Sequence, residues 1–237
     1  MKMNARQDEA RIGTMTATGA FCGHALVCDP SGAAFFPELS LLVVSDLHLE
    51  RGAAHARRGS LLPPYDTRLS LSRLASVIDR YQPQRVVSLG DSFHDRRGSA
   101  EMQDHSRQLL SGLVEGRDWV WINGNHDPDG VADLPGRALD QWDFAGLCFR
   151  HEPGPGLAEI CGHLHPSATL RRRDKNVRRP CFAMDDKRLM LPAFATLAGG
   201  LDLKHRAFAG LFAKDRLTVH LLGADRVYSL PFNRLSG

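Results

Sequence analysis

Residues 41–48 read LLVVSDLH, an apolar, β-branched run that stops abruptly at Ser45, Asp46 and His48. A run this short suits a strand buried on both faces, and the polar residues that end it are not needed for packing. The pattern recurs twice. Residues 85–89 (RVVSL) lead into Gly90-Asp91-Ser92-Phe93-His94-Asp95, and residues 119–122 (WVWI) into Asn123-Gly124-Asn125-His126-Asp127. Helical patterns lie between. Pro63 and Pro64 break the chain, Asp66 is placed to cap a helix, and Leu71, Leu74, Val77, Ile78 and Tyr81 form one apolar stripe that Pro83 ends. Met102, Leu109, Leu110, Leu113 and Val114 mark a second. This strand–helix alternation predicts an α/β sheet with helical crossovers.

The second half reads as short strands near 148–150, 157–161, 177–183, 189–191, 217–222 and 227–230, with one weak helical pattern at 203–212. No linker separates the halves, so the expectation is a polar N-terminal arm over 1–18 and a single domain over 19–237. Hydrophobic residues make up 43% of the 237 and charged residues 24%, which excludes a disordered chain. The net charge of +3 does not by itself mark a nucleic-acid binder. No apolar run approaches the ~18 residues of a membrane helix, and residues 1–17 lack the apolar centre of a secretory signal. The expectation is a cytoplasmic protein without membrane contact. The five cysteines (Cys22, Cys28, Cys148, Cys161, Cys181) are odd in number and unpaired in spacing, so they read as buried thiols.

Ligands of open α/β sheets gather beyond the carboxyl ends of the strands. Three strand ends therefore bring Asp46, His48, Asp91 and Asn125 to one crevice. Asp46 and His48, two apart in extended chain, face one side, and Gly90 and Gly124 let the chain turn sharply beside them. A fourth cluster, Gly162-His163-Leu164-His165, follows another strand end, and His151 closes the run before it. These oxygen and nitrogen donors include no thiolate, which suits catalytic manganese, iron, zinc or magnesium. Seven donors are too many for one ion that also holds substrate. They fit two ions sharing the Asp91 carboxylate, a pair suited to in-line displacement at phosphorus.

The ordered set D-x-H, G-D, G-N-H-D, a lone His and G-H-x-H resembles the calcineurin-like metallophosphoesterases. The resemblance implies a four-layer αββα sandwich with a dinuclear site. It implies that Asp46, His48 and His165 bind one metal, that Asn125, His151 and His163 bind the other, and that Asp91 bridges them. His126 would stand by the leaving oxygen as general acid or transition-state stabiliser. Residues 46–50 (DLHLE), 62–67 (LPPYDT), 90–95 (GDSFHD), 178–182 (RRPCF) and 191–194 (LPAF) further resemble the PdeM-type bacterial ligase-associated DNA damage response endonucleases. That likeness implies two divalent ions, Mn2+ above all, DNA as substrate, and a DNA ligase and a helicase as repair partners. Many family members have Asp three residues after the bridging Asp to orient the catalytic His. Here His94 stands there with Asp95 next, so either is a candidate support for His126, and Asp127 is a further candidate for a supporting place behind the ligands.

Residues 171–179 (RRRDKNVRR) concentrate positive charge. They read as a solvated hairpin tip or as a track for DNA phosphates through Arg171, Arg172, Arg173, Lys175, Arg178 and Arg179. Arg57, Arg58, Arg96 and Arg97 can add to that track. Tyr65 reads as a core aromatic, with stacking on a base as the alternative. The expected activity is DNA endonuclease. A phosphomonoesterase, a cyclic-nucleotide phosphodiesterase or a nucleoside-pyrophosphate hydrolase would use the same metal pair. A non-catalytic scaffold is disfavoured because every donor position is filled.

Overall fold

Leu41–Val44 is a strand with four fully buried side chains, and its alternation sends them to two different cores. The computed structural model describes residues 16–59, 65–131, 134–172, 175–196 and 198–235. One sheet runs, in order, Ala17–Phe21 (β1), His24–Cys28 (β2), Ala34–Phe36 (β3), Leu41–Val44 (β4), Arg85–Leu89 (β5), Asp118–Ile122 (β6) and Arg137–Leu139 (β7). It is antiparallel as far as β4 and parallel from β4 to β7. The helices are Arg51–Arg57 (α1), Asp66–Tyr81 (α2) and Asp104–Val114 (α3).

The second sheet is built from Gln141–Phe144 (β8), Leu147–Arg150 (β9), Glu159–Cys161 (β10), Pro166–Arg172 (β11), Lys175–Met184 (β12), Arg188–Met190 (β13) and Leu201–Asp202 (β14). Its order is β14-β11-β12-β13-β10-β9-β8; Thr218–Leu222 (β15) pairs with β12, and Val227–Pro231 (β16) pairs with β15. Between the sheets, Val43, Val87, Leu89 and Val120 meet Phe149, Ile160, Phe182 and Leu189. On the outer face of the first sheet, Leu42, Val44, Val86 and Trp119 meet Leu71, Leu74 and Val77 of α2 and Leu110 and Val114 of α3. The outer face of the second packs Cys161, Cys181 and Val219 against Leu203, Phe208 and Leu217. Helices, sheet, sheet and an outer segment make the four layers of the expected sandwich.

Several local expectations are corrected. Residues 203–212 form only a 3-10 turn at Arg206–Phe208, because Leu203 and Phe208 reach the core from an irregular segment. Ala17 and Thr18, read as arm, belong to β1 and pair with Cys28 and Val27. Residues 1–15 of that arm lie outside the described residues, as do Pro63 and Pro64. Asp66 does not cap α2: it is the first helical residue, and its Oδ2 accepts the Gly52 N–H at 2.9 Å, tying α2 to α1. Tyr65 is 64% exposed, so the core-packing reading fails. All five cysteines are free thiols, but only Cys28, Cys161 and Cys181 are buried; Cys148 is half-buried and Cys22 exposed.

One buried ion pair anchors the strands that carry the later histidines. Glu159 is fully buried and bonds the Arg188 guanidinium, whose other nitrogens donate to the carbonyls of Gly154 and Leu211. Arg188→Met leaves that carboxylate only the Gly154 N–H at 2.7 Å and Arg150 at 3.7 Å and should cost up to about 3–5 kcal/mol in denaturant unfolding, whereas Glu159→Gln with Arg188→Met should recover part of the loss. Equal losses in the single and double variants would show that the pair is not coupled.

Candidate metal centre

Both sheets end at the same rim. The register that sets Val44 beside Ser88 and Leu89 beside Ile122 aligns the carboxyl ends of β4, β5 and β6. Main-chain bonds then lock the loops: Asp46 N–H to Gly90 O at 3.3 Å, His48 N–H to Asp91 O at 2.9 Å, and Gly162 N–H to His151 O at 3.0 Å. Gly90 turns with φ +72°, as the sequence suggested. Gly124 has no such φ; it is needed for close approach, since a Cβ there would lie 2.2 Å from the Asp91 backbone N.

The paired donors do not share a side through extended chain. Asp46, His48, Asp91, His163 and His165 all have φ between 44° and 70°. Such left-handed residues cost on the order of 1 kcal/mol or more each, and strain of this kind clusters at functional sites.

Two anionic donor groups result. Asp46, His48 and His165 form one, and Asp91, His151 and His163 the other, with the donor atoms of each group within 4.8 Å of one another. In the first, His165 Nε2 lies 3.1 Å from Asp46 Oδ1 and 3.3 Å from His48 Nε2. In the second, Asn125 Oδ1 lies 3.0 Å from both His151 Nε2 and His163 Nδ1, and those nitrogens are 3.1 Å apart. Two ligands each ~2.1 Å from one ion, at right angles, stand about 3 Å apart.

Hydrogen bonding fixes which atoms face inward. His151 Nδ1 donates to Leu89 O at 2.9 Å and His165 Nδ1 to Gly199 O at 2.9 Å, which leaves both Nε2 atoms directed at the centre. Asp46 Oδ2 accepts the Ser45 hydroxyl and the His163 N–H, while the buried Oδ1 has no aligned hydrogen bond. Asp91 Oδ1 accepts the His126 N–H at 2.9 Å, which turns Oδ2 toward His151 at 3.5 Å. These residues fit divalent cations, and they would hold them through Asp46 Oδ1, Asp91 Oδ2, Asn125 Oδ1 and the four imidazoles.

Without a cation, protons take its place. Burial alone would lower His151, but its contact with Asp91 and the charges of Asp46 and Asp91 push it up to about 9. Burial would raise Asp91, yet His151, the His126 N–H and His48 hold it at about 2. His48 is lowered to about 4, chiefly by burial.

His126 is held differently from what the sequence suggested. Its Nδ1 donates to the backbone carbonyl of His94 at 2.8 Å, so neither the His94 ring nor Asp95 orients it. The Asp95 carboxylate is taken by Arg57 at 2.5 Å and the Arg97 N–H at 3.1 Å. Asp127 acts through the loops, accepting the N–H groups of Asp91, Phe93 and Gly124 at 3.0–3.1 Å. His126 Nε2 stays 3.9 Å from Asp91 Oδ2 on a side chain 39% exposed, open to substrate. His48, His94 and His126 also converge as a trio, but it lacks a carboxylate to balance a dication. The His94 ring is instead lowered to about 4 by burial and by the neighbouring His126 and Arg51.

The basic hairpin is not one patch. Arg178 bonds Ser167 Oγ and Gly200 O beside His165, and its register partner is Thr169. Lys175 and Arg179, exposed, alternate to the opposite face of β12. Arg173 lies outside the described residues, as do the side chains of Arg171 and Arg172. The carbonyls of Leu89, His94 and Gly199 were missed, and no sequence signal marks them because any residue type can supply a carbonyl.

The model of the calcineurin-like phosphoesterase family matches residues 39–188, from the last residues before β4 to the start of β13. The chain belongs to the calcineurin-like phosphoesterase family. It is a metal-dependent phosphoesterase. Among solved structures it is similar to the Pseudomonas putida nuclease MPE, at 25% identity and a TM-score of 0.69, over 91% of this chain and 100% of that one. It also matches the phosphoesterase Yfce of E. coli at 14% identity and a TM-score of 0.39, over 81% and 99% of the two chains, too distant to carry an argument. No curated protein matches the sequence. Among the described residues, no helix of this phosphoesterase is long and apolar enough to cross a membrane.

Ligation requires a bare His151 Nε2, so loading the phosphoesterase near neutral pH should release protons, and apparent affinity should rise with pH until about 9 and then level off. Titration calorimetry in two buffers of unlike ionisation enthalpy reads this directly. Identical heats in both buffers would count against the protonated ligand.

Proposed function

We propose that this phosphoesterase is a DNA endonuclease that hydrolyses phosphodiesters with two divalent ions, Mn2+ foremost, with β1 to β16 acting as one domain. The observation that carries the reading is the pair of anionic donor groups lying side by side with an exposed His126 between them and solvent. Similarity across the full length of a nuclease supports nucleic acid as substrate. The geometry supports a division of roles. Asp46, His48 and His165 would hold one ion, Asn125, His151 and His163 the other, with Asp91 available to both. When bound, such an ion pair polarises the phosphoryl oxygens and lowers the pKa of an attacking water. His126, with Nδ1–H fixed on the His94 carbonyl, presents Nε2 to the leaving sugar oxygen and delivers a proton to it. A place in DNA repair beside a ligase and a helicase, in the cytoplasm, rests on the sequence resemblance to the PdeM-type enzymes.

Incubated with Mn2+, the protein should nick supercoiled plasmid and linearise circular single-stranded DNA, and Asp91→Asn should abolish both. Activity confined to phosphomonoesters, cyclic nucleotides or nucleoside pyrophosphates would overturn the reading. His126→Ala should slow DNA cleavage by ~10²–10⁴-fold, while bis(p-nitrophenyl) phosphate, whose leaving group needs little proton, should lose far less. Matching losses on the two substrates would remove the acid role.

A further inference from the structure

Beside His126, and bordering the donor groups at Asn125, lies a cavity of about 340 Å3, whose wall also includes Arg58, Arg96 and Arg97 together with His94. That volume is at the small end of ligand pockets, which run from ~300 to 1,000 Å3, and the depression is open to solvent. Four arginines gather around it, and their partners divide them. Arg57 is neutralised by Asp95 at 2.5 Å and Glu101 at 2.9 Å, and Arg96 by Asp129 at 2.9 Å. Arg58 and Arg97 have no carboxylate partner among the described residues, and both are exposed. The one carboxylate on the wall, Asp95, is already engaged by Arg57 and by the Arg97 backbone N–H. The cavity therefore keeps two uncompensated guanidinium groups next to the residue that faces the leaving oxygen.

We propose that Arg58 and Arg97 form a subsite for the phosphate one nucleotide beyond the scissile bond, on the leaving-group side. The proposal rests on the nuclease reading and adds to it a selection rule. A diester whose leaving nucleoside carries a further phosphate gains a guanidinium contact in a geometry suited to phosphate oxygens. A lone diester does not. The enzyme thereby favours bonds inside a polynucleotide over its last bond.

The test uses the full chain with Mn2+ and four substrates: the dinucleotide TpT, its phosphorylated forms pTpT and TpTp, and bis(p-nitrophenyl) phosphate. One of pTpT and TpTp should exceed TpT in kcat/KM by about tenfold, the equivalent of one good contact, with the gain in KM. In the Arg58→Ala, Arg97→Ala double variant that gain should vanish while TpT is cut as before; Arg58→Lys with Arg97→Lys should keep part of it. Equal rates on TpT, pTpT and TpTp in the unaltered protein would overturn the subsite. So would a double variant that loses TpT by the same factor as the extended substrate. A readout free of catalysis separates this from failure of the nuclease reading. With Ca2+ in place of Mn2+, fluorescence anisotropy of a labelled oligothymidylate should show the slope of log K against log salt becoming shallower by about 0.7 in the double variant. If no nucleotide is cleaved but the slope still changes, the nuclease reading fails and with it the leaving-group subsite, and Arg58 and Arg97 are left as a phosphate-binding pair with no scissile bond beside them. If DNA is cleaved and the slope is unchanged, Arg58 and Arg97 are only a solvated surface.

Discussion

Bare lone pairs on nitrogen and oxygen repel one another unless a proton or a cation lies between them, and this fold brings such atoms together in two adjoining places. His165 Nε2 faces His48 Nε2 at 3.3 Å and Asp46 Oδ1 at 3.1 Å, while Asn125 Oδ1 sits 3.0 Å from two imidazole nitrogens. Rotation cannot relieve the crowding at His151 and His165, because their Nδ1–H groups are held by the carbonyls of Leu89 and Gly199. Positive charge between the donors turns this mutual repulsion into attraction. The rest of the rim is arranged around that requirement.

The backbone bears part of the cost. Five donor residues lie in the left-handed region, together on the order of 5 kcal/mol or more, against a typical net stability of about 5–15 kcal/mol for a whole protein. Strain of that size persists only where the surroundings over-determine it. Here the surroundings are two cores that bury β4 on both faces, the Asp127 carboxylate that gathers three loop N–H groups, and the Glu159–Arg188 pair beneath β9 and β10. The metal centre is thus a property of the whole sandwich and not of any single motif.

What the sequence makes legible follows from burial. β4, β5 and β6 are apolar throughout because both faces pack, so the runs at 41–44, 85–89 and 119–122 stand out, and the donors that follow them are read in order. β1 is partly exposed over most of its length (ATGAF), and α1 is seven residues (RGAAHAR) without a stripe, so neither has a pattern to read. The weak pattern at 203–212 misleads because Leu203 and Phe208 satisfy the outer core from a non-helical path. Tyr65 looks like core by composition yet faces solvent. The support of His126 could not be read at all, since the partner is a main-chain oxygen and the two side chains offered by the sequence point to other tasks. The split of Arg178 and Arg179 between two faces follows from strand alternation once 175–184 is known to be a strand, and register adds only their partners, Thr169 and Ala168.

The central claim is that two cations sit between these donors. Anomalous diffraction from crystals grown with Mn2+ tests it most directly. The account predicts two peaks ~3.5–4 Å apart, one touching Asp46, His48 and His165, the other Asn125, His151 and His163, with Asp91 reaching both. A single peak, or density centred on His48, His94 and His126 instead, would contradict it.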